Sequence, residues 1–161
     1  MLDIPEMPPG LVAFIASGRL PAPLAERFDP ALTHSTAPKW GDVALMVDLY
    51  LDNPDLDPDL RGPLALLGAY AYLETCEFML DQLVRRARIV LRLVDVARRH
   101  GVADADAEEL SDAAWRIYEL GAELDDQRAA DDSAAAGGGP ANRTPPGPQR
   151  LAPLRDDLDL G

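Results

Sequence analysis

A heptad pattern of small and apolar residues constrains the fold of this chain more than any other feature of its sequence. Residues of this kind recur at alternating spacings of three and four, which places them on one face of an α-helix. The ten members, called the heptad seam below, are Leu66, Ala69, Leu73, Cys76, Leu80, Leu83, Ala87, Val90, Val94 and Ala97. Pro63 suits the first turn of such a helix and Gly101 its end. We therefore predict one helix of about 37 residues, roughly 55 Å long.

The apolar face of this helix is wider than the stripe of a two-stranded coiled coil. Its flanking positions add Tyr70, Val84 and Leu91 on one side, and Tyr72, Met79 and Leu93 on the other. A face of this width is typical of a helix packed in a bundle. A second three-four pattern from Leu110 to Leu124 predicts a partner helix, with Asp106 and Glu109 as a variant capping box. The short link between the two helices favours an antiparallel hairpin.

The fold class predicted from these patterns is all-α, a helical bundle built on the long helix and its antiparallel partner. Residues 41–129 form the helical core domain, and residues 1–40 form a proline-rich arm with short helices. From residue 130 the composition is too polar and too rich in glycine and proline to offset the entropy of folding. Residues 130–161 are therefore a flexible, disordered linker that ends in an acidic, leucine-bearing peptide.

The N-terminal part of the chain contains three shorter candidate helices. One runs from Gly10 to Ser17 with Gly18 as its stop, and another from Pro23 to Phe28. Residues 41–51 fit either a helix or an alternating strand. We predict a helix capped by Asp42, because the chain offers no second strand to pair with it. Residues 10–51 or a second copy of the chain then cover the wide face of the long helix, and we favour a homodimer.

The charge balance excludes some classes of partner. The formal net charge is -13, which repels nucleic acid backbone and favours a protein partner, particularly a basic one. The single cysteine excludes an intrachain disulfide. The longest apolar run, residues 64–73, is half the length of a membrane span, and the N-terminus does not resemble a signal peptide. We predict a soluble cytoplasmic protein that does not enter membranes.

The stretch DNPDLDPDLRGP at residues 52–63 has the composition of a calcium loop without its spacing. An EF-hand needs glycine at position six and glutamate at position twelve. Counted from Asp55, these positions hold Leu60 and Leu66; counted from the first aspartate, position three is Pro54. We predict a break between two helices and no metal site.

Four arginines, called the arginine strip below, lie opposite the heptad seam. They are Arg85, Arg88, Arg92 and Arg99. One interpretation is a docking strip for an acidic partner or a phosphate. The other is a solvated face, because Asp81 and Asp95 each precede an arginine of the strip by four residues, the favourable order for ion pairs. Ion pairing accounts for most of the pattern, so the solvated face is favoured.

No catalytic or cofactor motif is recognised. Cys76 lies within the heptad seam and is expected to be a small core residue. His34 and His100 lack the Glu-x-x-His spacing of bundle metal sites. The only carboxylate cluster that an enzyme could use is Glu74, Glu77 and Asp81, and no histidine or other base supports it. We predict no cofactor, no metal and no enzymatic activity.

The C-terminal peptide carries three leucines that fall on one face of a helix: Leu151, Leu154 and Leu158. A leucine-bearing acidic peptide on a flexible tether has the form of a short recognition motif, although an unselected disordered end has the same composition. The pattern favours a non-enzymatic interaction module, such as an adaptor, assembly factor or chaperone-like accessory subunit. One alternative is an acidic regulator that binds a basic or nucleic-acid-binding partner by charge mimicry, and the other is a carboxylate- or metal-dependent enzyme.

Overall fold

The computed structural model describes residues 2–35 and 37–136, and this part of the chain is all-α, without a strand. The predicted fold class is therefore confirmed. Its α-helices are α1 (Pro9–Ala16), α2 (Ala22–Ala25), α3 (Pro30–Thr33), α4 (Trp40–Asp52), α5 (Pro58–Thr75), α6 (Leu83–Arg99) and α7 (Asp104–Ala135). Segment 41–51 is thus helical. The predicted flexible linker beyond residue 136 and the leucine peptide lie outside the described residues.

The predicted single long helix is wrong, because the chain reverses direction between α5 and α6. Two short 3-10 turns, Cys76–Phe78 and Leu80–Gln82, separate the helices, and Met79 between them leaves the helical region with φ -132° and ψ 49°. Gly62 near the start of α5 lies against the end of α6, so the two helices are antiparallel.

The residues of the heptad seam are buried despite this reversal. Nine of its ten members are at most 2% exposed, and the exception is Leu80, which is 50% exposed in the turn. The two halves of the seam belong to separate helices that pack on one another instead of continuing in line. Much of the apolar width that a second chain was expected to cover is therefore buried within one molecule.

Helix α5 is the central element of the core. From Gly62 to Leu73, every residue except Pro63 and Tyr72 is buried. Helices α4 and α6 meet it at Gly68, where the side chains of Val47 and Leu93 approach the space that a Cβ would occupy. The all-round burial explains why α5 lacks the polar face of an ordinary surface helix.

Helix α6 pairs in turn with α7, as the short link between them predicts. Gly121 in the middle of α7 lies against Leu83 at the start of α6, while Arg98 near the end of α6 lies 4.0 Å from Asp104 at the start of α7. The hairpin is therefore antiparallel, which confirms the prediction. Gly101, with φ +90°, allows the chain to leave α6 in the left-handed conformation.

Three predicted helix starts are displaced. Helix α5 begins at Pro58, where the Asp57 carboxylate accepts the N–H of Asp59 at 3.0 Å, so Pro63 lies inside the helix. Helix α4 begins at Trp40, so the predicted cap Asp42 lies in its first turn. Helix α7 begins at Asp104, two residues before the predicted cap Asp106. Acidic side chains in a first turn favour the helix dipole without occupying the cap position, which is why the sequence pattern misplaces the boundary.

The N-terminal arm packs over α5 and α4. Leu11 of α1 and Leu24 of α2 are at most 1% exposed. The ring of Trp40 forms edge-to-face contacts with Phe28 at 5.9 Å and with Tyr70 at 5.1 Å, which tie the arm to the start of α4 and to α5. Of the two covers predicted for the wide face, residues 10–51 supply one in the structure.

Helix α7 extends past the rest of the bundle. It continues to Ala135, six residues beyond the predicted end of the core domain. Because Gly121 already faces the first residue of α6, residues 122–135 continue for about 21 Å beyond that contact. We call these residues the α7 extension. The Arg128 guanidinium donates a 3.1 Å hydrogen bond to the carbonyl of Leu80 and so fixes the extension beside the α5–α6 turn.

Candidate interaction surfaces

The α5–α6 turn exposes three consecutive apolar side chains. Phe78, Met79 and Leu80 are 82%, 38% and 50% exposed, and we call them the apolar tip. Met79 and Leu80 were predicted on the packed face of a long helix, which is wrong because the chain reverses there. Scattered exposed leucines are ordinary, whereas a contiguous exposed apolar group is a candidate interaction surface.

The apolar tip is held by contacts at its base. The Thr75 hydroxyl donates to the carbonyl of Tyr72, and the Cys76 thiol donates to the same carbonyl at 3.2 Å. Arg86 of α6 donates to the Thr75 hydroxyl and stacks over the Tyr72 ring at 5.0 Å. Side-chain bonds of this kind compete with the helical backbone and stabilise the chain reversal.

Acidic side chains surround the apolar tip. Glu77 and Asp81 flank it directly and are exposed. The α7 extension adds five exposed acidic residues, namely Glu123, Asp125, Asp126, Asp131 and Asp132. Asp125 forms a 3.0 Å ion pair with Arg128, the residue that contacts Leu80. This end of the molecule is therefore an apolar group with a negatively charged rim.

The arginine strip lies on the outer face of α6, and its four members have different surroundings. Arg99 forms the predicted ion pair with Asp95, with a nitrogen–oxygen distance of 3.0 Å, so this pair is confirmed. The predicted pair between Asp81 and Arg85 is wrong, since no such ion pair occurs among the described residues; the 3-10 turn removes Asp81 from the helical register. Arg85 is exposed.

Arg88 and Arg92 have different neighbours. Arg88 lies over the Tyr118 ring at 5.6 Å and donates to its hydroxyl at 3.3 Å, while Trp115 packs edge-to-face on the same ring. Arg92 is partly buried and precedes Leu93, which approaches Gly68 beside Val47 of α4. Arg88 and Arg99 of the strip thus make contacts within the molecule, whereas Arg85 is a cation exposed to solvent.

Helices α6 and α7 carry opposite charges. Residues 83–99 contain six arginines and one aspartate, whereas residues 104–135 contain eleven acidic residues and two arginines. Helix α4, which meets α6 at Gly68, exposes two apolar side chains one turn apart, Leu45 at 64% and Leu49 at 72%. The surface formed by α4 and α6, called the α4–α6 surface below, therefore carries exposed leucines on one helix and the exposed Arg85 on the other.

Asp48, Tyr72 and Cys76 form a partly buried polar cluster between α4, α5 and α6. Burial raises the pKa of Asp48, and the Tyr72 hydroxyl, which donates to it at 2.5 Å, opposes that shift. Burial followed by the same hydrogen bond raises the pKa of Tyr72 to about 12. Burial also raises the pKa of the Cys76 thiol, the reverse of what a nucleophile needs. The cluster has the chemistry of a structural contact.

The carboxylates nominated for an enzyme do not form one site. Glu74 accepts a 2.6 Å hydrogen bond from Tyr70, whereas Glu77 and Asp81 lie exposed in the turn. No group of three metal-ligating side chains occurs among residues 2–35 and 37–136. His34 and His100 each follow the end of a helix, at the C-cap positions of α3 and α6.

The acidic stretch between α4 and α5 is a helix link. Arg61 donates to the carbonyls of Leu51 and Asn53 at 2.9 and 2.8 Å, which fastens the end of α4 to the start of α5. Asp57 is occupied as a helix cap and the Asn53 side chain accepts the N–H of Asp55. These contacts agree with the predicted helix break.

The remaining predicted site residues, Leu151, Leu154 and Leu158, lie outside the described residues. The described helices include none that is both long and apolar enough to span a membrane. Searches against protein-family models, curated proteins and solved structures returned no significant match to this chain.

Proposed function

We propose that the chain is a non-enzymatic helical protein–protein interaction module that acts in the cytoplasm as an adaptor, assembly factor or chaperone-like accessory subunit. The observation that carries this proposal is the apolar tip. Phe78 exposes 82% of its surface, the highest fraction of any large apolar side chain among the described residues, on a turn whose base is fixed by hydrogen bonds. An exposed aromatic side chain on a rigid base is a suitable anchor for a partner's pocket.

The charge around the apolar tip defines the partner surface. Glu77, Asp81 and the acidic residues of the α7 extension form its rim. The complementary surface is an apolar groove edged by arginine or lysine side chains, since matched charges guide encounter and fix orientation. The module therefore binds a protein with a locally basic surface.

The C-terminal leucines are proposed as a second recognition element. The 14 residues 137–150 separate α7 from Leu151 and allow a reach of up to about 46 Å. A tethered peptide of this reach can engage a second partner, or the same partner at a second point, at high effective concentration. The bundle then holds one partner while the peptide holds the other contact.

Affinity capture with matched variants tests the proposal. The tagged wild-type chain, Phe78→Ser and Val12→Ser are compared in extract from the native host, with captured proteins identified by mass spectrometry. Val12 is 51% exposed on α1 and controls for the loss of an exposed apolar side chain. Capture of a partner by the wild type and by Val12→Ser, but not by Phe78→Ser, supports the proposal. Equal capture by all three chains refutes it. Removing residues 150–161 measures the contribution of the peptide.

A second candidate function is charge mimicry by the α7 extension. Its support is the concentration of acidic residues on a helix that projects from the bundle. A mimic binds a basic partner through charge alone, so capture weakens steeply as salt is raised and does not depend on Phe78. Replacing Asp126, Asp131 and Asp132 by asparagine then abolishes capture, whereas Phe78→Ser leaves it intact.

A further inference from the structure

We infer that the partner of the apolar tip is the α4–α6 surface of a second copy of this chain, in a two-fold symmetric dimer. This inference rests on the proposed function and names the partner of the same surface. The two surfaces are complementary in both components. The apolar tip is rimmed by carboxylates, and the α4–α6 surface presents exposed leucines beside the arginine strip.

The two surfaces cannot meet within one molecule. The apolar tip is joined to the first turn of α6, which also carries Arg85, and Leu83 between them is buried against Gly121. The α7 extension is fixed beside the tip through Arg128. Tip, extension and α6 are thus parts of one packed unit, and only another molecule can bring carboxylates of the rim onto the outer face of α6.

The arrangement suits a two-fold axis. In an isologous interface both copies use the same continuous patch. Each group of one copy that contacts a second group in its partner is therefore matched by the reciprocal contact. Asp81 on the rim and Arg85 in the strip are four residues apart, and Arg92 follows two turns further along the same helix. Placing two such patches face to face brings the rim of each copy onto the strip of the other.

The apolar side chains of the two copies pair in the same reciprocal way as the charged ones. Tyr72 joins the two helices, because its hydroxyl donates to Asp48 of α4 and its ring lies under Arg86 of α6. Leu45 and Leu49 lie within one turn of Asp48 on α4, so the exposed leucines and the arginine-bearing helix belong to one surface. Phe78 of one copy would therefore cover leucines that are 64% and 72% exposed in the other. The contact removes from water the three large apolar side chains with the highest exposed fractions among the described residues.

Charge reversal tests this pairing. The molar mass of the full chain is measured by sedimentation equilibrium over about 1 to 200 µM, a range that spans dissociation constants of ordinary dimers. Two variants are made: Arg85→Glu with Arg92→Glu, and Glu77→Arg with Asp81→Arg. Each alone places like charges across both halves of the interface and weakens the dimer at least about tenfold. An equimolar mixture pairs opposite charges in both halves and restores a mixed dimer.

Two controls keep the outcome interpretable. Arg116→Glu reverses an exposed arginine on α7 outside the interface and leaves the dimer unchanged. Arg85→Glu alone, at an exposed position, repeats the test if the double variant does not give a native circular dichroism spectrum.

Four results overturn the inference. They are a wild type that stays monomeric throughout, a dimer that survives both charge reversals, a mixture that fails to restore the dimer, and a dimer that is lost when residues 137–161 are removed. A wild type that stays monomeric excludes the dimer alone. The capture experiment with Phe78→Ser then tests the proposed function separately, because that assay reports on any protein partner.

Discussion

The contact between α6 and α7 depends on the absence of a side chain at Gly121, and replacing this glycine by alanine tests the packing directly. An alanine Cβ at this position would lie 2.8 Å from the Cβ of Leu83 and 2.9 Å from the backbone nitrogen of Val84. Neither atom can rotate away, because one is backbone and the other is the first side-chain atom of a buried residue. The variant therefore separates the two helices at their closest approach.

The expected cost follows from the size of this separation. Ordinary contacts of this kind are near 3.5 Å, so the helices must move apart by roughly 0.7 Å, which forfeits a quarter to a half of the local dispersion energy. Because neither facing atom can move alone, the overpacking cost lies in the upper part of the usual range, about 2–3 kcal/mol, and the better helix propensity of alanine returns about 1 kcal/mol. We expect Gly121→Ala to lower the free energy of unfolding by about 1–2 kcal/mol and the melting temperature by roughly 3–8 °C.

Gly41→Ala is the matched control. Gly41 lies in the first turn of α4 with no atom within 4 Å of the added Cβ, so this variant gains helix propensity without overpacking. Urea unfolding followed by circular dichroism should therefore give free-energy changes of opposite sign for the two variants. If Gly121→Ala is as stable as the wild type or more stable, the described packing of α6 on α7 is wrong.

Three further predictions concern stability. Leu73→Ala should cost about 2–5 kcal/mol in urea unfolding because Leu73 is completely buried, whereas Phe78→Ser should stay within about 0.5 kcal/mol of the wild type; equal losses would contradict the exposed tip. The pKa of Tyr72, raised from 10.0 to about 12, contributes stability that is complete below pH 10 and lost as the pH rises toward 12, so Tyr72→Phe should show a smaller loss over that interval in the same assay. Calcium added to the full chain should not change its melting temperature, because the stretch 52–63 lacks EF-hand spacing and Asp57 is already a helix cap; an upward shift would contradict this.

The sequence predicts what is buried better than it predicts where the helices end. The heptad seam identifies nine buried residues correctly, since three-four spacing reports a helical face whatever the helix packs against. The heptad seam does not reveal that the chain reverses at Met79. The residues before and after this turn keep the three-four spacing, so the pattern continues across the turn without a break. Three of the four residues 75–78, namely Thr75, Cys76 and Phe78, are weaker helix formers and are the only local signal of the break.

The candidate surfaces were predicted unevenly for the same reason. The four arginines of the strip all lie on α6, because they fall wholly within one helix of the structure, but Arg88 contacts Tyr118 of α7. The apolar tip was missed, since Met79 and Leu80 continue the apolar pattern and Phe78 stands out only once the turn is known. The cation–π contact of Arg88 with Tyr118 joins residues 30 positions apart, which no local pattern reveals.

The order in which the last four helices pack has a consequence for how fast the chain folds. Each of α5, α6 and α7 lies against the helix that precedes it in sequence, so most core contacts close short loops. Topologies of this kind have low contact order and fold in microseconds to milliseconds, because little loop entropy is lost before apolar contacts form. The five-residue link before α5 and the seven-residue turn after it make this central helix the natural nucleus, with α4 and α6 able to add from either side. Stopped-flow refolding should therefore be complete within the dead time of a conventional instrument.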